Sequence, residues 1–187
     1  IVYSITNLLD IYNPYTKGHS ENVAKMSATI AKKMNLSQTD IKDAYWSGMV
    51  HDIGKLIIPL DILNKNDSLN NNEYKLIKKH PKWSYKALKD SPALKNIANY
   101  VLYHHERWDG NGYPEGLKAK EIPVISQILI LADAWDAMRS ERAYRKPLSK
   151  EKALNEIKDK KGTQFAPKIT DLFLEIIKYN DYPFQQH

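Results

Sequence analysis

The sequence predicts an all-α protein folded as a single helical bundle, and three observations lead there. Apolar residues recur at three- and four-residue spacing in segment after segment. No stretch alternates apolar and polar residues with the period of two that a half-buried strand shows. Breaks between the periodic segments carry Gly, Pro, Asn and Asp, the residues of turns. A length of 187 residues suits one sizeable core and is short for two. With 42% hydrophobic and 27% charged residues the chain has the composition of a folded domain, not a disordered one.

Taken in order, residues 1–12 read as the tail of a linker helix from an upstream domain, and residues 13–187 as the compact domain; a chain that begins at Ile1 fits excision from something longer. Asn13-Pro14 and Gly18 mark the turn before a helix in which Val23, Met26, Ile30 and Met34 share a face, with His19 one turn upstream. Asp40 can cap a second helix with Ile41, Tyr45, Gly48 and Asp52 on one side, ending at Gly54. A loop from Asp61 to Asn72 precedes a short helix carrying Tyr74, Ile77 and His80, broken by Pro81. Leu94, Ile97 and Val101 lead by helical spacing to His104 and His105. After a glycine-rich loop from Asp109 to Gly116, Pro123 opens a helix through Ser126, Leu129, Asp133 and Asp136. The last helices hold Ala153, Leu154 and Ile157, then Ile169, Leu172, Phe173, Ile176 and Ile177.

Charge and composition exclude several functions. No apolar run approaches a membrane span and no signal peptide opens the chain, so this segment is expected in the cytoplasm without membrane contact. Cysteine is absent, which removes disulfides and thiolate ligands and leaves nitrogen and oxygen as metal donors. The net charge is +6, but the lysines are spread along helices, as at Lys32-Lys33, Lys78-Lys79 and Lys158, Lys160 and Lys161. They read as a solvated face, compatible with a polyanionic ligand and giving no reason to expect DNA.

Five of the six histidines fall in one pattern: His19, the pair His51-Asp52, His80 and the pair His104-His105, with Asp133 completing the set. Each lies at or near the end of an apolar helical stripe. A buried imidazole or carboxylate without a partner is costly, so these groups must meet each other, a metal, or both. Neutral imidazoles with carboxylates suit divalent first-row metals, with iron or manganese expected and nickel or zinc also fitting. Seven donors exceed the needs of one ion, and two ions sharing a carboxylate favour in-line displacement at phosphorus.

The motifs Gly18-His19-Ser20, His51-Asp52-Ile53-Gly54-Lys55 and His104-His105-Glu106-Arg107-Trp108-Asp109-Gly110-Asn111-Gly112-Tyr113-Pro114 together resemble the HD-GYP family, a branch of the HD phosphohydrolase superfamily whose members hydrolyse cyclic dinucleotides, chiefly cyclic di-GMP. The resemblance runs from about Tyr12 to Pro167 and includes Arg142-Ala143-Tyr144-Arg145 and Gly162-Thr163-Gln164-Phe165. It implies the helical bundle of HD-domain phosphohydrolases and hydrolysis of cyclic di-GMP to the linear dinucleotide pGpG, continuing to GMP. By the same resemblance His19, His51, Asp52 and Asp133 hold one metal, and Asp52 bridges to a second held by His80, His104 and His105. Lys55 matches the active-site lysine that steadies the phosphate or the departing oxygen; its alternative is a cation favoured by a helix C-terminus. Asp136 could orient a ligand or water, or form a surface ion pair. Arg142 and Arg145 match substrate-contacting positions, and Tyr113 reaches the site or packs in its loop, as Trp108 does. The resemblance also implies partners: diguanylate cyclases or other signalling proteins at residues 109–116, and an upstream sensor or receiver domain.

The chain departs from the family pattern where Tyr15 stands in place of a third-metal glutamate, and at Gln127, Ala119 and Ala166, in place of the common arginine, glycine and aspartate. Two other readings stay open: hydrolysis of a different phosphate ester such as cyclic GMP-AMP or a nucleoside monophosphate, and a non-hydrolytic interaction module with structural metals.

Overall fold

The computed structural model describes residues 18–65, 67–140 and 146–179. The expected linker tail, Tyr15, Arg142 and Arg145 lie outside the described residues. Within them the chain is helical, without strands and with one isolated bridge between Lys161 and Phe165. The helices are α1 (His19–Lys33), α2 (Gln38–Val50), α3 (Leu60–Leu63), α4 (Asn71–Ile77), α5 (His80–Leu88), α6 (Lys95–Leu102), α7 (Val124–Arg139), α8 (Lys150–Asp159) and α9 (Pro167–Tyr179). Short 3-10 turns occupy Ile53–Ile57, Pro92–Leu94 and Ala119–Glu121.

Helix α7 is apolar on nearly every side, the pattern of a helix that runs through a core. Ile125, Ile128, Leu129, Leu131, Ala132 and Trp135 are all buried, and α1, α8 and α9 pack around them through Val23, Met26, Ile30, Ile157, Phe173 and Ile177. Burying each such side chain stabilises the fold by about 1.5–3 kcal/mol. A second cluster joins Ala24 of α1 to Met49, Val50, Leu88, Ile97 and Val101. The histidine-bearing ends of α1, α2, α5 and α6 are thereby fixed by packing on two sides.

Several boundaries differ from the sequence reading, each for a local reason. Ser37, not Asp40, caps α2: its hydroxyl accepts from the Asp40 N–H, and Asp40 sits inside the first turn. The helix stops at Val50, and Asp52 and Gly54 belong to the tighter 3-10 turn. Asp61 lies in α3, while Asn70 and Glu73 form a capping box that starts α4 at Asn71. Pro81 opens a helix instead of breaking one, because the first turn of α5 has no use for its missing N–H. Ala119, where the family often has glycine, has a left-handed φ of 50°.

Gly54 carries the closest approach in the fold's functional half. A Cβ there would stand 2.2 Å from the backbone oxygen of His80 and 2.7 Å from the Ser84 nitrogen. The Gly54 N–H donates to Ser84 Oγ, and that hydroxyl donates to the His51 carbonyl. Gly54→Ala must therefore push the 3-10 turn off α5. The expected cost is about 1–3 kcal/mol, read as a lower unfolding midpoint, with weakened metal retention because Asp52 and His80 move apart.

Candidate metal centre

Helix ends and turns supply most of the donors. His19 is the first residue of α1, His51 follows the last residue of α2, His80 begins α5, and His104 and His105 follow α6. Asp133 projects from central α7. His19, His51, Asp52, His80 and His104 are each 3% exposed or less, and the Asp133 side chain is 19% exposed.

Hydrogen bonds on the far side of each ring decide which way its lone pair points. His51 Nδ1 lies 2.8 Å from the Gly48 carbonyl, His80 Nδ1 2.8 Å from Ile77 O, and His104 Nδ1 2.6 Å from Val101 O. A carbonyl only accepts, so each Nδ1 carries a proton and each ring turns its Nε2 inward. His19 Nδ1 is held in the same way by Asp136 Oδ2 at 2.6 Å, and Asp136 is itself fixed by Asn22 and Ser140.

The inward atoms fall into two triads. Donors of His19, His51 and Asp133 lie within 4.8 Å of one another, as do those of His80, His104 and His105, and a third grouping of His51, Asp52 and His104 joins the two. Asp52 Oδ2 lies 3.4 Å from His51 Nε2 and 3.9 Å from His19 Nε2, while Oδ1 lies 3.2 Å from His80 Nε2 and 4.0 Å from His104 Nε2. Each oxygen of one carboxylate thus faces one triad. His51 Nε2 and Asp52 Oδ1 are buried without a hydrogen-bond partner, His19 Nε2 faces Asp133 Oδ1 at 3.3 Å, and the Nε2 atoms of His80 and His104 face each other at 3.2 Å. Lone pairs held that close repel unless a cation sits between them. The donor set fits divalent metal ions.

Electrostatics set His19 apart, since burial lowers the pKa of His51 in the same triad. Burial lowers the His104 and His105 pKa values, His105 to about 3, and keeps both rings neutral. Burial also acts to lower His19, but the carboxylates of Asp133 and Asp136 outweigh it and push that ring up to about 9. Against the upward push of burial, Lys55 and the histidines hold the Asp52 carboxyl well below its usual range; His19, His51 and His105 do the same for Asp133. Lys55 Nζ stands 2.5 Å from Asp52 Oδ2.

The loop from Asp109 to Gly116 closes one side. Gly112 passes so near the backbone of Glu106 and Arg107 that a Cβ would lie 2.4–2.5 Å from it. Buried Glu106 accepts the N–H groups of Glu115 and Gly116 through Oε1. These contacts lay the Tyr113 ring on His105, with centroids 4.9 Å apart and planes 24° apart. The rings border a cavity of about 310 Å³ reaching His104, His105 and Asp133. Trp108 is partly buried against the main core.

The structure therefore brings together His19, His51, Asp52, Lys55, His80, His104, His105, Asp133, Asp136 and Tyr113. Asp136 is buried behind His19, so its reading as a surface ion pair does not hold. Asn22, Ser84 and the grip of Glu106 on the loop escaped the sequence reading, since a single hydroxyl, amide or carboxylate carries no periodic signal. Lys78, read as part of a solvated face, instead lines the cavity; its i,i+4 spacing from Tyr74 was the available signal.

Comparison with known proteins agrees with this architecture. A family model described as "HD domain" matches residues 4–169. A cyclic di-GMP phosphodiesterase of Thermotoga maritima is 38% identical over 180 residues, covering 95% of this chain and 49% of that protein. The 3'3'-cGAMP-specific phosphodiesterase 2 of Vibrio cholerae is 32% identical over 94% of this chain and 34% of its own length. The chain thus spans half or less of these relatives. Among solved structures, a cyclic GMP-AMP specific phosphodiesterase of V. cholerae shares the fold with a TM-score of 0.74 at 21% identity, over 95% of this chain and 48% of that one.

The two triads should respond differently to pH. A metal binding His19 Nε2 must displace a proton held with a pKa of about 9, so affinity there should fall roughly tenfold per unit as pH drops from 8.5 to 6.5. Neutral His104 and His105 impose no such competition. Manganese titration calorimetry in buffers of different ionisation enthalpy should resolve one strongly proton-releasing event and one that releases fewer protons. Equal pH dependence at both would contradict the assignment.

Proposed function

This chain belongs to the HD domain family, and from that premise we propose that it is a metal-dependent phosphodiesterase that opens cyclic di-GMP to linear pGpG and carries it on toward GMP. The observation that carries the reading is the pair of donor triads facing the two oxygens of Asp52. His19, His51 and Asp133 would hold one divalent ion and His80, His104 and His105 a second, with Asp52 shared; iron or manganese suits this nitrogen and oxygen set, and nickel or zinc is compatible with it. Such ions supply Lewis acidity toward phosphate oxygens and a lowered pKa for water.

The protein's own groups do the rest. Asp136 fixes the His19 tautomer from behind, as the Gly48, Ile77 and Val101 carbonyls do for the other rings. Lys55, partly exposed beside Asp52, brings positive charge to the phosphate or to the departing ribose oxygen. Burial pushes the Tyr113 phenol pKa up, which keeps it a hydrogen-bond donor at the cavity wall. Arg142 and Arg145 remain proposed substrate contacts on the strength of their motif alone.

A second reading, hydrolysis of cyclic GMP-AMP, is favoured by relatives named for that substrate at 32–36% identity. Both share the same phosphodiester chemistry. No helix among the described residues is long and apolar enough to cross a membrane. Catalysis in the cytoplasm, with an upstream sensor or receiver domain and diguanylate cyclase contacts at residues 109–116, completes the proposal.

Product chromatography on cyclic di-GMP, cyclic GMP-AMP and cyclic di-AMP tests the activity directly; no cleavage of any of them by metal-loaded protein overturns it. Asp52→Ala should lose metal from both positions and all turnover. Lys55→Ala should keep its metal and lose about 100-fold to 1,000-fold in kcat, the usual effect of removing one well-placed electrostatic group. Unchanged kcat would remove Lys55 from the chemistry.

A further inference from the structure

Resting on the cyclic-dinucleotide reading, we propose that Lys78 is a substrate-binding residue whose ammonium takes the phosphate that is not being cleaved. Lys78 caps the C-terminus of α4, two residues before His80, and its backbone N–H donates to the Tyr74 carbonyl. Its Nζ stands 4.9 Å from the Tyr74 ring centroid and 4.8 Å from that of Tyr113. Two phenol faces attract an ammonium and fix its place, yet they accept none of its three N–H donors as an oxygen would. The side chain is held, and its hydrogen-bonding capacity is left over.

Neighbouring cations are differently placed. Lys55 is paired with Asp52. Arg107, also on the cavity wall, spends its guanidinium on Asp109 at 2.7 and 3.1 Å and on Gln164. Lys82 pairs with Glu115. Among the described residues Lys78 meets no carboxylate and no hydrogen-bond acceptor for its ammonium, although it lines the cavity that reaches His104, His105 and Asp133.

A cyclic dinucleotide carries two phosphodiesters, each with one negative charge, on opposite sides of its ring. With one at the histidine triads, the other must be neutralised some distance away. Lys78 lies against the same Tyr113 ring that stacks on His105, on the cavity wall and outside the donor set. A substrate with a single phosphate has no group for it to hold. Lys78 is therefore a specificity determinant for two-phosphate rings over simple phosphodiesters.

The test compares wild type, Lys78→Gln and Lys78→Arg on cyclic di-GMP and on bis(p-nitrophenyl) phosphate, with metal content measured for each. Lys78→Gln should keep its metal and raise KM for the cyclic dinucleotide much more than it lowers kcat. The ratio of kcat/KM between the two substrates should fall by about tenfold or more, the scale of one charged hydrogen bond. Lys78→Arg should recover most of it. Equal losses on both substrates would mean that Lys78 only clamps Tyr113, and an unchanged KM would mean that it touches no phosphate; either overturns the proposal. Wild type that cleaves bis(p-nitrophenyl) phosphate but no cyclic dinucleotide would sink the parent reading instead, and this inference with it.

Discussion

Everything in this molecule is arranged around imidazole lone pairs aimed at one buried carboxylate. His51, His80 and His104 each spend Nδ1–H on a backbone carbonyl three residues earlier, and His19 spends it on Asp136. Four Nε2 atoms and both oxygens of Asp52 then share a largely buried space at the inner end of the cavity. Such a cluster costs free energy in the fold, since lone pairs repel and buried polar atoms lose hydration. The two apolar clusters flanking it, one built on α7 and one joining Met49, Val50, Ile97 and Val101, supply the burial that holds it. Bound cations convert the liability into binding energy, so metal loading and stability should be linked.

Position in the helices explains how so few residues achieve this. Every histidine among the described residues sits at an element's first residue or just past its last, where the backbone leaves the helical path and side chains can converge from different directions. Only Asp133 comes from within a helix, and α7 runs through the core to bring it there. The Gly54–Ser84 contact joins the two halves, locking Asp52 to α5.

Much of the centre was legible from residue order alone. Adjacent His51-Asp52 and His104-His105 pairs at the ends of apolar stripes make little sense as packing, and the structure brings them together with His19, His80 and Asp133. The bundle was legible too, because the spacing of Val23, Met26 and Ile30, or of Ile169, Phe173 and Ile176, admits few alternatives. What was missed depends on tertiary approach. The α2 stripe continues in register to Asp52, so nothing local reveals the 3-10 turn that Gly54 makes against His80. Pro81 reads equally as a break or a beginning, and only the preceding chain path decides. Lys78 became part of the cavity because the 109–116 loop returns to lay Tyr113 beside it, a contact 35 positions away in sequence.

The central claim is that Asp52 joins two metal positions into one centre. Low-temperature electron paramagnetic resonance of protein loaded with two equivalents of manganese tests it most directly, because spins bridged by one carboxylate couple and distant spins do not. The account predicts an exchange-coupled spectrum with two bound ions per chain. A spectrum of isolated ions at full occupancy, or saturation at one ion per chain, would contradict it.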